Sequence, residues 1–182
     1  MVVKNATRRY IAMQKYFTYR DPGREVLKKP CVVEYEDKSY TAFTNAWSLI
    51  LTTEDTGEIE LFDTTDRKYP DVVSLLRFDG IKRKLDFNAI ISEARSKGYR
   101  RSKKEVGAGF KYLMLYDGTY YKIGLLDITY AIINDGEQVM TYHPDGEKMP
   151  LIFQNELGFG IIMPVFMYNG KPNEDHIVIE VE

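Results

Sequence analysis

Residues 150–167 constrain the fold of this chain more than any other stretch. Two strand-like runs, Pro-Leu-Ile-Phe-Gln over 150–154 and Phe-Gly-Ile-Ile-Met-Pro-Val-Phe-Met over 159–167, flank the turn Asn155-Glu156-Leu157-Gly158. Strand alternation puts Phe159, Ile161 and Met163 on one face and Ile162 on the other, so the second strand is expected to be covered on both sides. Pro164 has no N–H to donate to a ladder, which assigns it to an edge or a strand end. Beyond it, Val165, Phe166 and Met167 read either as a docking surface or as ordinary core.

A chain of 182 residues suits one domain or two small ones. No run reaches membrane-spanning length, the start Met1-Val2-Val3-Lys4-Asn5 lacks the apolar run of a signal peptide, and the single cysteine, Cys31, cannot form an internal disulfide. A soluble, cytoplasmic protein with no membrane partner is the expectation. The net charge of -2 argues against wholesale coating of nucleic acid, but it hides a polarised distribution. Residues 1–20 hold Lys4, Arg8, Arg9, Lys15 and Arg20 with no acid, residues 81–104 are strongly basic, and beyond residue 110 acids outnumber lysines.

In chain order, a helix is predicted over 6–17, with Asn5 as N-cap and Asp21-Pro22-Gly23 as its stop. Ala6, Tyr10, Met13 and Phe17 share one face; Lys4, Arg8 and Lys15 lie opposite, interrupted by Ile11. That basic face is either a solvated surface or a stripe turned to phosphates. Strands over 31–35, 39–43 and 47–52 read as an antiparallel meander, and 58–62 as a further short strand. The polar run 63–70, closed by Pro70, is a candidate boundary. A second helix spans 87–97, capped by Asp86 and stopped by Gly98. Its trailing segment carries Arg95, Lys97, Arg100, Arg101, Lys103 and Lys104, a solvated loop or a phosphate patch. A hairpin over 110–124 turns at Asp117-Gly118, and a third helix over 128–133 is capped by Asp127 and ended by 134–136. Strands over 138–142 and 177–181 complete the pattern, with a turn at 144–146. Helix plus three strands, then strand, helix and three strands, implies an α+β domain with internal pseudo-symmetry.

Catalytic signatures are sparse. Of the two histidines, His143 falls in the turn His-Pro-Asp-Gly and His176 in a polar tail, and neither stands at metal-ligand spacing from Cys31. No Gly-x-Ser-x-Gly, Walker loop or Cys-x-x-Cys occurs, and Gly107-Ala108-Gly109 has Tyr112 where a dinucleotide loop needs its third glycine. Asp63 and Asp66 read as a turn or a cation site. The expectation is a protein that is not an enzyme and needs no cofactor or metal. Tyr99, Tyr112, Tyr116, Tyr120 and Tyr121 are either stacking platforms for single-stranded nucleic acid or plain sheet residues.

Several segments resemble the bacterial DNA polymerase III beta sliding clamp family. Thr44-Asn45-Ala46-Trp47-Ser48-Leu49 is similar to the family's Ala-Thr-Asp-Gly-His-Arg-Leu motif, with Trp47 and Ser48 in place of its His-Arg pair. Lys68-Tyr69-Pro70-Asp71-Val72 with Leu75-Leu76 resembles its Arg-Phe-Pro-Asp segment before an interdomain connection. Tyr121-Lys122-Ile123-Gly124 resembles the opening of its last repeat, and Ile161-Ile162-Met163-Pro164-Val165 its terminal Val-Met-Pro-Met. The resemblance implies a DNA-clamp-like fold of two pseudo-symmetric βαβββ repeats: repeat one over 1–62, an inserted helical and basic segment over 63–118, repeat two over 119–168 and a tail over 169–182. Two compressed clamp domains, 1–78 and 79–182, are the alternative partition.

By motif position, the resemblance further implies a partner-peptide cleft of Thr44, Ala46, Trp47, Leu49, Ile161, Met163, Pro164 and Val165. It implies non-specific contacts to duplex DNA from Lys4, Arg8 and Lys15, with Arg95, Lys97, Arg100, Arg101, Lys103 and Lys104 as a second basic group. The implied partners are duplex DNA, a DNA polymerase or other clamp-client peptide, and further copies of the chain. A clamp-fold interaction module that no longer binds DNA, and a single-strand-binding protein, are the alternatives.

Overall fold

Two three-stranded meanders meet edge to edge and make one wide sheet. The computed structural model describes residues 9, 11–14, 24–53, 59–65, 67–76, 82–100, 112–115, 118–134, 139–144, 148–165 and 178–181. The first meander comprises β1 (Cys31–Tyr35), β2 (Lys38–Thr44) and β3 (Ser48–Thr52). Glu36 and Asp37 join β1 to β2 with φ of 47° and 61°, a two-residue turn whose twist matches that of the strands it connects. After β4 (Lys82–Lys84), α1 (Phe87–Ser96), β5 (Tyr112–Leu115), β6 (Tyr120–Lys122) and α2 (Ile123–Ile133) comes the second meander: β7 (Met140–Pro144), β8 (Leu151–Asn155) and β9 (Gly158–Ile162). The β8–β9 turn is closed by Asn155, whose Oδ1 accepts from the Leu157 and Gly158 amides.

The meanders join where β3 pairs antiparallel with β9, setting Leu49 opposite Ile161 and Leu51 opposite Phe159. The resulting seven-stranded sheet runs β1-β2-β3-β9-β8-β7-β4. Each meander is preceded by helix, residues 11–14 before β1 and α2 before β7, so the β3–β9 seam relates two similar halves. A smaller sheet, β10-β5-β6, places β10 (Val178–Val181) parallel to β5.

Period-two alternation sorts the core. Phe43 and Ile50 pack with Met13, Ile128 and Ile132 on the helical face. Farther along that face, Phe153 and Ile162 join Phe87, Ile90, Ile91 and Ala94 of α1 and Leu126 of α2. α2 lies so close to β9 that a Cβ on Gly160 would stand 2.4 Å from Thr129 Cγ2. On the opposite face, Leu49, Leu51, Phe159 and Ile161 pack with Val72, Val73 and Leu76 of a short 3-10 helix, Val72–Leu76. The central strands are therefore covered on both sides, as the apolar alternation of 159–162 predicts.

The α+β class, the meander, the Asp86 cap and the strand at 178–181 match expectation. Asp86 Oδ1 accepts from the Ala89 amide at 3.0 Å, and Gly98 takes φ of 91° past the helix end. Four local expectations are corrected. Residues 59–62 form no strand: the Phe62 amide donates to Pro30 O beside β1, without a ladder. α2 starts at Ile123, five residues before the predicted 128, and Asp127 lies inside it, buried, instead of capping it. A helix buried nearly all round has no polar face to betray its start. β7 begins at Met140 and runs through Pro144, which carries His143 from the predicted turn into the sheet. The third meander strand opens at Ser48, because Trp47 belongs to the loop before it.

Candidate functional site

Where the first meander's last strand meets the end of β9, the outer face of the sheet opens into a cavity of about 240 Å³. Thr44, Leu49, Ile161 and Met163 form its floor, Ala46 and Ser48 one side, and Pro70, Asp71, Val72 and Leu75 the other, with Arg24 and Leu27 beyond. Val72 and Leu75 share that wall because residues three apart eclipse one another in a 3-10 helix. Asp71 begins that helix: its Oδ1 accepts from the Ser74 amide at 3.2 Å, and Ser74 Oγ donates to the Asp71 carbonyl at 2.7 Å.

The loop between β2 and β3 is tied tightly. Asn45 Oδ1 accepts from the Trp47 amide at 3.0 Å, the Ser48 amide at 2.8 Å and Ser48 Oγ at 2.9 Å. Thr44 Oγ1 donates to the Ser48 carbonyl at 2.9 Å and accepts from the Ala46 amide at 3.1 Å. Ala46 is thereby held at φ 72°, a left-handed conformation that costs a non-glycine residue about 1 kcal/mol or more. The Trp47 carbonyl accepts from the Met163 amide at 2.9 Å, which fastens this loop to the segment leaving β9.

Of the eight residues expected to border a cleft, Thr44, Ala46, Leu49, Ile161 and Met163 line this cavity, and Trp47, Pro164 and Val165 do not. Trp47 is 52% exposed, with Lys122 Nζ 5.5 Å from its ring centroid. Past Met163 the chain turns toward the smaller sheet: Pro164 is buried, and the Val165 amide donates to Tyr120 O at 2.7 Å. Phe166 and Met167 lie outside the described residues. The wall of Pro70, Asp71, Val72 and Leu75 was missed as part of the cleft, although its likeness to a clamp segment and its three-residue apolar spacing were both visible.

Lys4, Arg8, Lys15, Arg101, Lys103 and Lys104 lie outside the described residues. Arg95 approaches the buried Asp127 at 3.9 Å, and Lys97 pairs with Glu93 at 2.7 Å. Arg100 Nη1 donates to the Arg95 and Tyr99 carbonyls at 2.9 and 2.7 Å. α2 contributes no lysine or arginine. Tyr99, Tyr120 and Tyr121 are buried, and Tyr99 Oη donates to Asp127 Oδ2 at 3.0 Å, so these rings serve the core and offer no stacking platform. His143 is fully buried with its ring 6.0 Å from that of Tyr121. Asp63 Oδ1 accepts from the Thr65 amide and hydroxyl, the turn reading, and these bonds hold its carboxyl below the usual range. Asp66 and His176 lie outside the described residues.

No family profile and no curated protein matches the chain. Among solved structures it is similar to DNA polymerase III subunit beta from Borrelia burgdorferi in complex with a natural product. That likeness has a TM-score of 0.57 at 11% identity and covers 90% of this chain and 63% of the other. The fold is clamp-like, and the chain spans less than two thirds of the length of that solved chain. Among the described residues, no helix is long and apolar enough to cross a membrane.

Proposed function

We propose that this protein is a non-enzymatic, clamp-like docking module that holds a short apolar segment of a partner protein in the cavity between the β2–β3 loop, the end of β9 and the 3-10 helix. One observation carries the reading: side chains from three separated stretches, including Leu49, Val72 and Ile161, converge on one apolar hollow at the surface. A hollow of about 240 Å³ takes one or two large apolar side chains, not a folded surface. By analogy with the clamp-like neighbour, the partner is a DNA polymerase or another replication protein. In this reading repeat one ends near residue 62 and repeat two begins near 119, with the intervening segment inserted.

A second reading keeps a sliding clamp's non-specific association with duplex DNA, and with it self-association, since a chain of this length would need more copies to close a ring. The acid-free first 20 residues favour DNA contact; the absence of any cation from α2 favours a module that has lost it.

The docking test is an array of peptides from replicative DNA polymerase sequences, its binders titrated against wild type, Met163→Ala and Leu75→Arg. Met163→Ala removes part of the floor and is expected to weaken binding about tenfold. Leu75→Arg puts a charge into the hollow and is expected to abolish it. Circular dichroism melts check that both variants fold. Equal affinity across all three proteins sinks the cavity assignment.

A further inference from the structure

Beside the cavity stands a feature that docking of an apolar anchor leaves unused. Trp47, the chain's single tryptophan, is more than half exposed although its loop is held by three bonds to Asn45 Oδ1. Such a ring is normally buried, and here the left-handed Ala46 and the Asn45 bonds hold it outward. Lys122 places its ammonium 5.5 Å from the ring centroid. A ring face attracts and positions a cation without cancelling its charge. Among the described residues no carboxylate lies within ion-pair distance of Lys122. Backbone bonds tie the pair to the cavity's edge: Met163, on the cavity floor, donates to the Trp47 carbonyl, and Val165, two residues on, donates to Tyr120 on the strand that carries Lys122.

We propose that Trp47 and Lys122 form a shelf that reads a carboxylate on the docked peptide, so that the partner segment is an apolar anchor flanked by an aspartate or glutamate. The inference rests on the docking reading and adds the chemistry of the occupant. The carboxylate meets the ammonium in a charge-assisted hydrogen bond, while the indole covers the aliphatic part of the acidic residue and keeps water from one side of the pair. Asp71 also lines the cavity, on the wall built by the 3-10 helix; its bond to the Ser74 amide engages that carboxylate in capping. Arg24 lies at the cavity's far side, across from Thr44 and Ala46, so Lys122 is the cation on the Trp47 side, where the flanking acid is read.

The test is selection from a displayed random-peptide library against three forms of the full chain: wild type, Lys122→Gln and the cavity-blocking Leu75→Arg. Wild type is expected to enrich apolar sequences with a flanking acid, and Lys122→Gln apolar sequences without that bias. A selected peptide is then titrated beside its Asp→Asn or Glu→Gln twin, with quenching or shift of Trp47 fluorescence as the readout. The acidic form is expected to bind wild type about tenfold more tightly at low salt, a gap that closes in Lys122→Gln and at high salt. Apolar enrichment by wild type with no acidic bias, or twins of equal affinity, overturns the shelf and leaves the docking reading standing. Enrichment that Leu75→Arg does not abolish, or none at all, overturns both.

Discussion

Tyr142 shows how one side chain ties packing to solution behaviour. Its ring lies in the outer-face core with Tyr40, Ile152 and Val72, and burial, reinforced by Tyr35 and Glu36, pushes its phenol up to about 12. A phenol raised above its ordinary value of 10 favours the folded state while both states are protonated. That contribution is complete below about pH 10 and is lost as pH rises to about 12, where the unfolded chain ionises first. Urea midpoints measured across that window are expected to fall more steeply in wild type than in Tyr142→Phe. Parallel falls would mean that the buried phenol carries none of the alkaline instability. The strand that carries Tyr142 was legible, but its burial and the neighbours that share in the shift were not, because β7 does not alternate and those neighbours come from β1 and the β1–β2 turn, about a hundred residues away.

The elements divide by how much of their signal is local. α1 was readable to within a residue, since a capping aspartate, an amphipathic stripe and a terminal glycine are all sequence-adjacent. α2 was not. Its sequence is apolar on nearly every side, and the one acid within it looked like a cap, whereas the tertiary structure gives Asp127 to Tyr99 and Arg95. Tyr99→Phe removes a donor from that buried carboxylate and is expected to cost about 1 to 3 kcal/mol in urea unfolding. A loss below about 0.5 kcal/mol would mean that the bond contributes nothing net. Element boundaries also decided the site. β9 ends at Ile162, so Met163 stays on the cavity while Pro164 and Val165 turn away to the smaller sheet.

At the scale of the molecule, the β3–β9 seam makes two halves one sheet and puts an apolar hollow on its outer face. On the opposite, helical side α2 supplies no positive charge, so contact with DNA there would draw on the first 20 residues or on the basic segment that follows α1. If the first 20 residues supply that contact, Lys4, Arg8 and Lys15 replaced together by glutamate abolish duplex binding. Three phosphate contacts predict a slope of log affinity against log salt of about -3 in wild type. Unchanged binding in the triple variant would leave the segment around residues 95–104 as the source of affinity.

Alternation, caps and turn residues determined by themselves that both meanders exist, along with α1 and the covering of β9 on both faces, because each depends on residues a few positions apart; the ends of β3, β7 and β9 were set by the tertiary structure. The gathering of Leu49, Val72 and Ile161 around one hollow, the burial of Asp127 and His143, and the outward stance of Trp47 were decided only by the tertiary structure. They depend on which strand edges meet, and the β3–β9 pairing brings together residues more than a hundred positions apart that no local pattern could have matched.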